Sequence, residues 1–118
     1  MRPVLIAAAF AMLATGAHAH ARLQSSNPAP NAVLKAAPAE IRVEFDDELD
    51  DWKSTLALAD AQGRAIAIGR TRLTGKPARG LAAPVGVRLR PGLYHVRWQA
   101  SSSDGHAAHG EFAFTLRP

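Results

Sequence analysis

The chain has 118 residues, enough for one domain and little more, and its lack of cysteine rules out both disulfide staples and thiolate ligands. Its 14 Lys and Arg against 10 Asp and Glu give a formal charge of +4. That surplus is spread along the chain without the basic run that grips a phosphate backbone, which argues against a nucleic-acid partner.

The first element is a targeting segment. Met1-Arg2 is a short positive start, Val4 to Leu13 is apolar, and Ala17-His18-Ala19 is a small-x-small cleavage pattern. The expected leader is residues 1–19, cut after Ala19, and the expected domain is residues 20–118, released outside the cytoplasm with His20 as its first residue. A cut after Ala17 is the weaker alternative, because it puts Thr15 where a smaller residue is preferred. The apolar stretch of the leader is too short to span a bilayer, and no later stretch can span one.

The rest reads as short strands between turns. Glu40-Ile41-Arg42-Val43-Glu44-Phe45 alternates strictly, the mark of a half-buried strand. Leu56 and Leu58 repeat the pattern, Asp60-Ala61-Gln62-Gly63 turns the chain, and Ile66 and Ile68 follow. Thr74 to Pro84, rich in Gly, Pro and Ala, reads as a loop. Val85, Val87 and Leu89 read as a strand, and Pro91-Gly92 as a turn. Tyr94, Val96 and Trp98 are expected to face inward and His95, Arg97 and Gln99 outward, with Phe112, Phe114 and Leu116 on a last strand. No helical period competes. The expected fold is all-β: a single antiparallel Greek-key sandwich or barrel of about seven strands.

Four histidines follow the leader: His20, His95, His106 and His109. As the first residue of a processed chain, His20 offers two nitrogens, the α-amine and ring Nδ1, which can close a chelate ring on a metal. Cu(II) heads the divalent affinity order and favours tetragonal N/O sites. The plain alternative is that cleavage happens to fall before a histidine. In Asp104-Gly105-His106, the i, i+2 spacing can put a carboxylate and an imidazole on one side of an extended segment. Asp-Gly is also a favoured hairpin turn, and on local residues alone the turn is the stronger reading. A sandwich clusters its loops at two ends, so the chain start can meet a late hairpin. His20, His106 and Asp104 would then supply three nitrogens and one oxygen, which suits Cu(II).

His95 reads as a solvated surface residue; His109 reads as a residue outside the ligand set, with support of a ligand, an alternative ligand and plain strand entry as its open roles. The acidic run Asp46-Asp47-Glu48-Leu49-Asp50-Asp51 reads as a solvated loop, or alternatively as a weak cation site or a docking patch for a basic partner. It lacks the spaced oxygens of an EF-hand loop. Trp52 after it is either partly exposed or a cap on the sandwich. No nucleophile elbow, phosphate loop or H-E-x-x-H motif occurs. Both methionines, Met1 and Met12, lie in the leader, so the domain has no soft sulfur ligand for Cu(I).

His20-Ala21-Arg22-Leu23 with Ser25-Ser26-Asn27-Pro28 and Pro30 resembles the opening of the CopC family of periplasmic copper-resistance proteins. Arg90 to Trp98, Ser103-Asp104-Gly105-His106 and Gly110-Glu111-Phe112-Ala113-Phe114 resemble that family's ending. The resemblance implies a cupredoxin-like or immunoglobulin-like sandwich in the periplasm. It implies one Cu(II) per chain, held by His20, Asp104 and His106, in a monomer acting as a carrier or buffer in copper resistance or homeostasis. It further implies an inner-membrane copper-transport protein as partner. A histidine at position 109 is not part of the family pattern.

Two other function classes compete with the non-enzymatic carrier. A copper oxygenase also uses an N-terminal histidine chelate, but Asp104 would fill the position where oxygen must bind. Two Trp, one Tyr and four Phe are also few for a flat sugar-binding face. Peroxide production by the copper-loaded protein with a reductant separates that reading from a carrier. A plain sandwich interaction module predicts no tight copper binding.

Overall fold

The computed structural model describes residues 21–50 and 53–118, which form nine strands and no helix. The expected leader, together with His20, Asp51 and Trp52, lies outside the described residues. The strands are β1 (Leu23–Asn27), β2 (Val33–Leu34), β3 (Glu40–Phe45), β4 (Thr55–Asp60), β5 (Ala65–Ile66), β6 (Arg72–Thr74), β7 (Gly80–Pro84), β8 (Gly92–Ser101) and β9 (Ala107–Leu116). They build two sheets, β1-β3-β7-β6 and β2-β9-β8-β4-β5, and the chain passes between them at β1–β2, β2–β3, β3–β4, β5–β6 and β7–β8. The all-β sandwich is as the sequence predicts. The pairings are antiparallel except β2 on β9, which is parallel.

Alternation places the core as expected. Ile41, Val43 and Phe45 of β3 are at most 1% exposed, and they face Val96 and Phe114 of the other sheet, both fully buried. The Phe45 and Trp98 rings meet edge to face at 5.0 Å, and Tyr94 stacks on Phe114 at 5.5 Å, arrangements that add to simple area burial. Trp98 lies across Gly110 on the neighbouring strand. A Cβ there would come within 2.4 Å of the indole, so only glycine fits. Tyr94 donates from its hydroxyl to the Arg90 carbonyl at 2.6 Å, fastening the loop before β8 to the strand it leads into.

Two segments differ from the sequence reading. Thr74 to Pro84 is not all loop: Gly80–Pro84 is a central strand between β3 and β6. Its small side chains are required, because Ala82 is fully buried between Arg42 and Arg72 in register, which share the Glu40 carboxylate at 3.3 and 3.0 Å. A Cβ on Gly80 would press within 2.2 Å of Thr74 Oγ1 and 2.5 Å of Glu44 Oε1. Conversely, Val85 to Leu89 is a connection. Val85 and Leu89 tuck into the core while Val87 stays exposed, so the alternation is real but reflects a loop anchored at both ends. The strands that the sequence reading does not name are the polar edge strand β1, the two- and three-residue strands β2 and β6, and β7.

The sandwich has two ends of different character. β1 starts where β3 finishes, since Leu23 pairs with Phe45. The β8–β9 hairpin and the beginning of β4 share that end, since Thr55 pairs with Gln99 and Ser101 with Ala107. The β4–β5 turn, the β7–β8 connection and residue 117 occupy the other.

Candidate metal centre

The Asp104-Gly105-His106 segment is a tight hairpin loop. Gly105 donates its N–H to the Ser102 carbonyl at 2.9 Å, and Ser102 N–H donates to the His106 carbonyl at 2.8 Å. Gly105 has φ +92°, the left-handed region where a side chain is strained. This is a turn followed by a left-handed residue, the three-residue pattern that closes hairpins. The segment is therefore the turn that its local residues favour. The side chains do converge, but across a turn, not along an extended strand as the i, i+2 argument supposes.

Their convergence centres on Asp104 Oδ1. It accepts the Ser102 hydroxyl in a short hydrogen bond, the His106 N–H at 3.1 Å, and faces His106 Nδ1 at 3.1 Å. The Ser102 hydroxyl first, then the His106 amide and ring, push the Asp104 carboxyl down to about 2. The carboxylate is thus charged throughout the neutral range. Asp104 and His106 side chains are 51% and 53% exposed, so the pair is open to an incoming ion. Nδ1 of His106 is turned to Asp104, and Nε2 lies on the opposite edge of the ring.

The acidic run beside the hairpin is more than a solvated loop. Asp46 Oδ1 accepts the Arg22 N–H at 2.7 Å, and Asp46 N–H donates back to the Arg22 carbonyl at 3.0 Å. Three residues on, Leu49 forms a bridge with Ser102 and is only 4% exposed. Ser103 N–H donates to the Glu48 carbonyl at 3.0 Å, and Asp50 N–H to the Ser101 carbonyl at 2.7 Å. Residues 46–50 therefore connect Arg22 to the Asp104–His106 hairpin, and Ala21, 2% exposed, is packed into the core at this end. Sequence reasoning missed this tie because backbone groups make most of it.

The other sequence candidates separate cleanly. Asp104 and His106 come together, and His20 lies outside the described residues. Among the described residues no group of three or more His, Cys, Asp or Glu is disposed to hold a metal, so the pair is at most part of a site. His95 is on the outer face of β8, with Nδ1 3.5 Å from Glu111 Oε2, and Arg97 Nε donates to Glu111 Oε1 at 2.7 Å. His109 is exposed on the same face, in register with Gln99.

Comparison with known proteins agrees with this architecture. The CopC domain family matches residues 23–117. "Copper transport protein CutJ" of Bacillus subtilis (strain 168) is 26% identical over 98 residues; these are 83% of this chain but 18% of that protein, so the chain spans under a fifth of its length. "Protein YobA" of Escherichia coli (strain K12) is 29% identical over 99 residues, 84% of this chain and 80% of that one. The crystal structure of CopC from Methylosinus trichosporium OB3b superposes with a TM-score of 0.78 at 24% identity, over 84% of this chain and 95% of that one, a likeness of fold. PcoC, a methionine-rich copper resistance protein from Escherichia coli, superposes with a TM-score of 0.73 at 28% identity, over 84% of this chain and all of that one.

Proposed function

The chain belongs to the CopC domain family, and from that premise we propose that it is a copper-binding protein of copper homeostasis that carries or buffers one Cu(II) ion. The proposed ligands are the α-amine and ring of His20, a carboxylate oxygen of Asp104 and the imidazole of His106. One observation carries the reading. Residues 46–50 join Arg22, two residues after His20, to the hairpin that holds Asp104 and His106. Arg22 and the pair therefore belong to one end of the sandwich, which supports a site that His20 would complete. The exposed, ionised Asp104 carboxylate beside an imidazole supplies one oxygen and one nitrogen. The amine and ring of a processed His20 would add two nitrogens in one chelate, completing a set that Cu(II) favours over other divalent ions.

The reading includes export to the periplasm with cleavage after Ala19, because the free amine exists only after that cut. The names of the relatives point the same way: copper transport for CutJ, copper resistance for PcoC. This chain differs from methionine-rich PcoC in having no methionine after Met12. The proposed protein works as a monomer, passes copper to or from an inner-membrane copper-transport protein, and catalyses no reaction.

Titration of the processed protein against chelators of known affinity tests stoichiometry and oxidation state. One tight Cu(II) per chain and weak Cu(I) binding are expected, since no thiolate or thioether is left. Two equally tight Cu(II) sites, or tight Cu(I) binding, contradict the proposal.

Asp46 holds Arg22 in place through both of its backbone polar groups and is not among the proposed ligands. Asp46→Ala removes the acceptor of the Arg22 N–H. Cu(II) affinity should fall by about tenfold, the worth of one charge-assisted hydrogen bond of ~1.5 kcal/mol, while the EPR parameters of the bound ion stay unchanged. An unaltered affinity would show that the Arg22–Asp46 ladder does not position the site.

A further inference from the structure

The end of the sandwich away from Asp104–His106 has a composition that the copper reading does not use. The described residues contain three exposed large aliphatic side chains, Val33 at 58%, Val87 at 41% and Leu93 at 40%. All three lie at this end. Val33 and Leu93 are both in register with Thr115, from opposite sides, so they flank it in one row on the outer face of β2, β9 and β8. Val87 is on the connection that crosses from β7 to β8.

Basic residues surround them. Lys35 follows β2, Arg88 and Arg90 stand on either side of the buried Leu89, and Arg117 follows β9. All four are exposed and make no ion pair with the described residues. The acids of this end are already matched: Asp60 binds Arg64 at 3.1 Å, and Glu40 binds Arg42 and Arg72. Arg88, Arg90, Pro91 and Leu93 also share the wall of a shallow cleft. The result is an end whose cations exceed its acidic side chains among the described residues and which also carries three exposed aliphatic side chains.

We propose that this end docks the protein on an anionic phospholipid surface, with Lys35, Arg88, Arg90 and Arg117 over the headgroups and Val33, Val87 and Leu93 entering the interface. Cations at such a surface are each favourable, and aliphatic side chains add to them when they reach the acyl boundary. Lipid is the favoured occupant because the charge complements an anionic headgroup layer, and three aliphatic side chains with no exposed large aromatic among the described residues are few for the buried centre of a protein interface. β8 runs the length of the sandwich in ten residues, about 30 Å at the usual rise of a strand. Docking at this end therefore holds Asp104 and His106 roughly 30 Å from the lipid. The inference rests on described residues alone and stands whether or not copper binds at the other end.

Co-sedimentation of the exported, processed protein with vesicles tests it. Processing is verified by intact mass, since a retained leader would itself bind lipid. The protein should pellet with phosphatidylethanolamine–phosphatidylglycerol vesicles, lose that binding as salt is raised, and stay in solution with phosphatidylcholine vesicles. Arg88→Glu with Arg90→Glu should lower binding on the order of tenfold or more. Val33→Asp with Leu93→Asp should lower it as well. All four positions are exposed, so the melting transition should not move; Lys35→Glu with Arg117→Glu replaces the first pair if that pair fails to fold. No binding to the anionic vesicles, or binding that either pair leaves intact, overturns the proposal. Retention on a polyglutamate column without vesicle binding overturns it too, and assigns the end to an acidic protein.

Discussion

A chain carrying one or two extra residues before His20 is expected to lose Cu(II) affinity by several orders of magnitude while keeping its fold. Every side chain of the proposed site is still present in it. What changes is one nitrogen: the α-amine becomes a peptide amide, which binds a metal only if deprotonated, and the two-nitrogen chelate disappears. Added residues at a chain end leave the packed strands untouched, so the melting transition of the metal-free protein should hardly move. Competition titration of the processed and extended proteins, side by side, measures the difference. If the extended protein binds as tightly and still needs His106, His20 is not the anchor. A chain cut after Ala17 would begin His18-Ala19-His20 and could hold Cu(II) through its amine and intervening amides, without Asp104 or His106. Intact mass of the exported protein separates the two starts.

The second large effect is expected at the hairpin. His106→Ala should weaken Cu(II) binding by more than about 100-fold, beyond the 10- to 100-fold that removing a mere partner of a ligand costs. Asp104→Ala should also weaken it strongly, and here the loss has two sources. The ion loses an oxygen, and His106 loses the carboxylate that its Nδ1 and its N–H both face at 3.1 Å. Asp104→Asn separates them in part: it keeps the size and an acceptor for the turn but removes the charge. Retained affinity in Asp104→Asn would leave Asp104 as a turn residue only. His95→Ala and His109→Ala should leave the affinity unchanged, because both histidines sit on the outer face of the five-stranded sheet, His95 against Glu111 and His109 opposite Gln99.

Much of the fold was legible because β3, β4, β8 and β9 each have one face in water and one in the core. That asymmetry writes itself as strict alternation, as in Glu40 to Phe45. β7 was illegible for the opposite reason. Both of its faces are covered, so Gly80-Leu81-Ala82-Ala83-Pro84 is selected for small size and shows no period, and its composition resembles a loop. The connection from Val85 to Leu89 misled in the reverse sense, since two anchor points four residues apart mimic a strand. At the site, Asp104 and His106 were legible as a carboxylate and an imidazole at close spacing. The role of residues 46–50 was not. Asp46, Glu48, Leu49 and Asp50 act there largely through N–H and C=O groups, which every residue has. Their acidic side chains signal charge, not this backbone role.

The most direct test of the proposed site is the EPR spectrum of the processed protein with one equivalent of Cu(II), set against that of the chain extended before His20. A single tetragonal Cu(II) signal with nitrogen hyperfine structure is expected for the processed protein, and a different signal, with fewer nitrogens, for the extended one. The same spectrum from both chains would contradict ligation by the His20 amine, and with it the central claim.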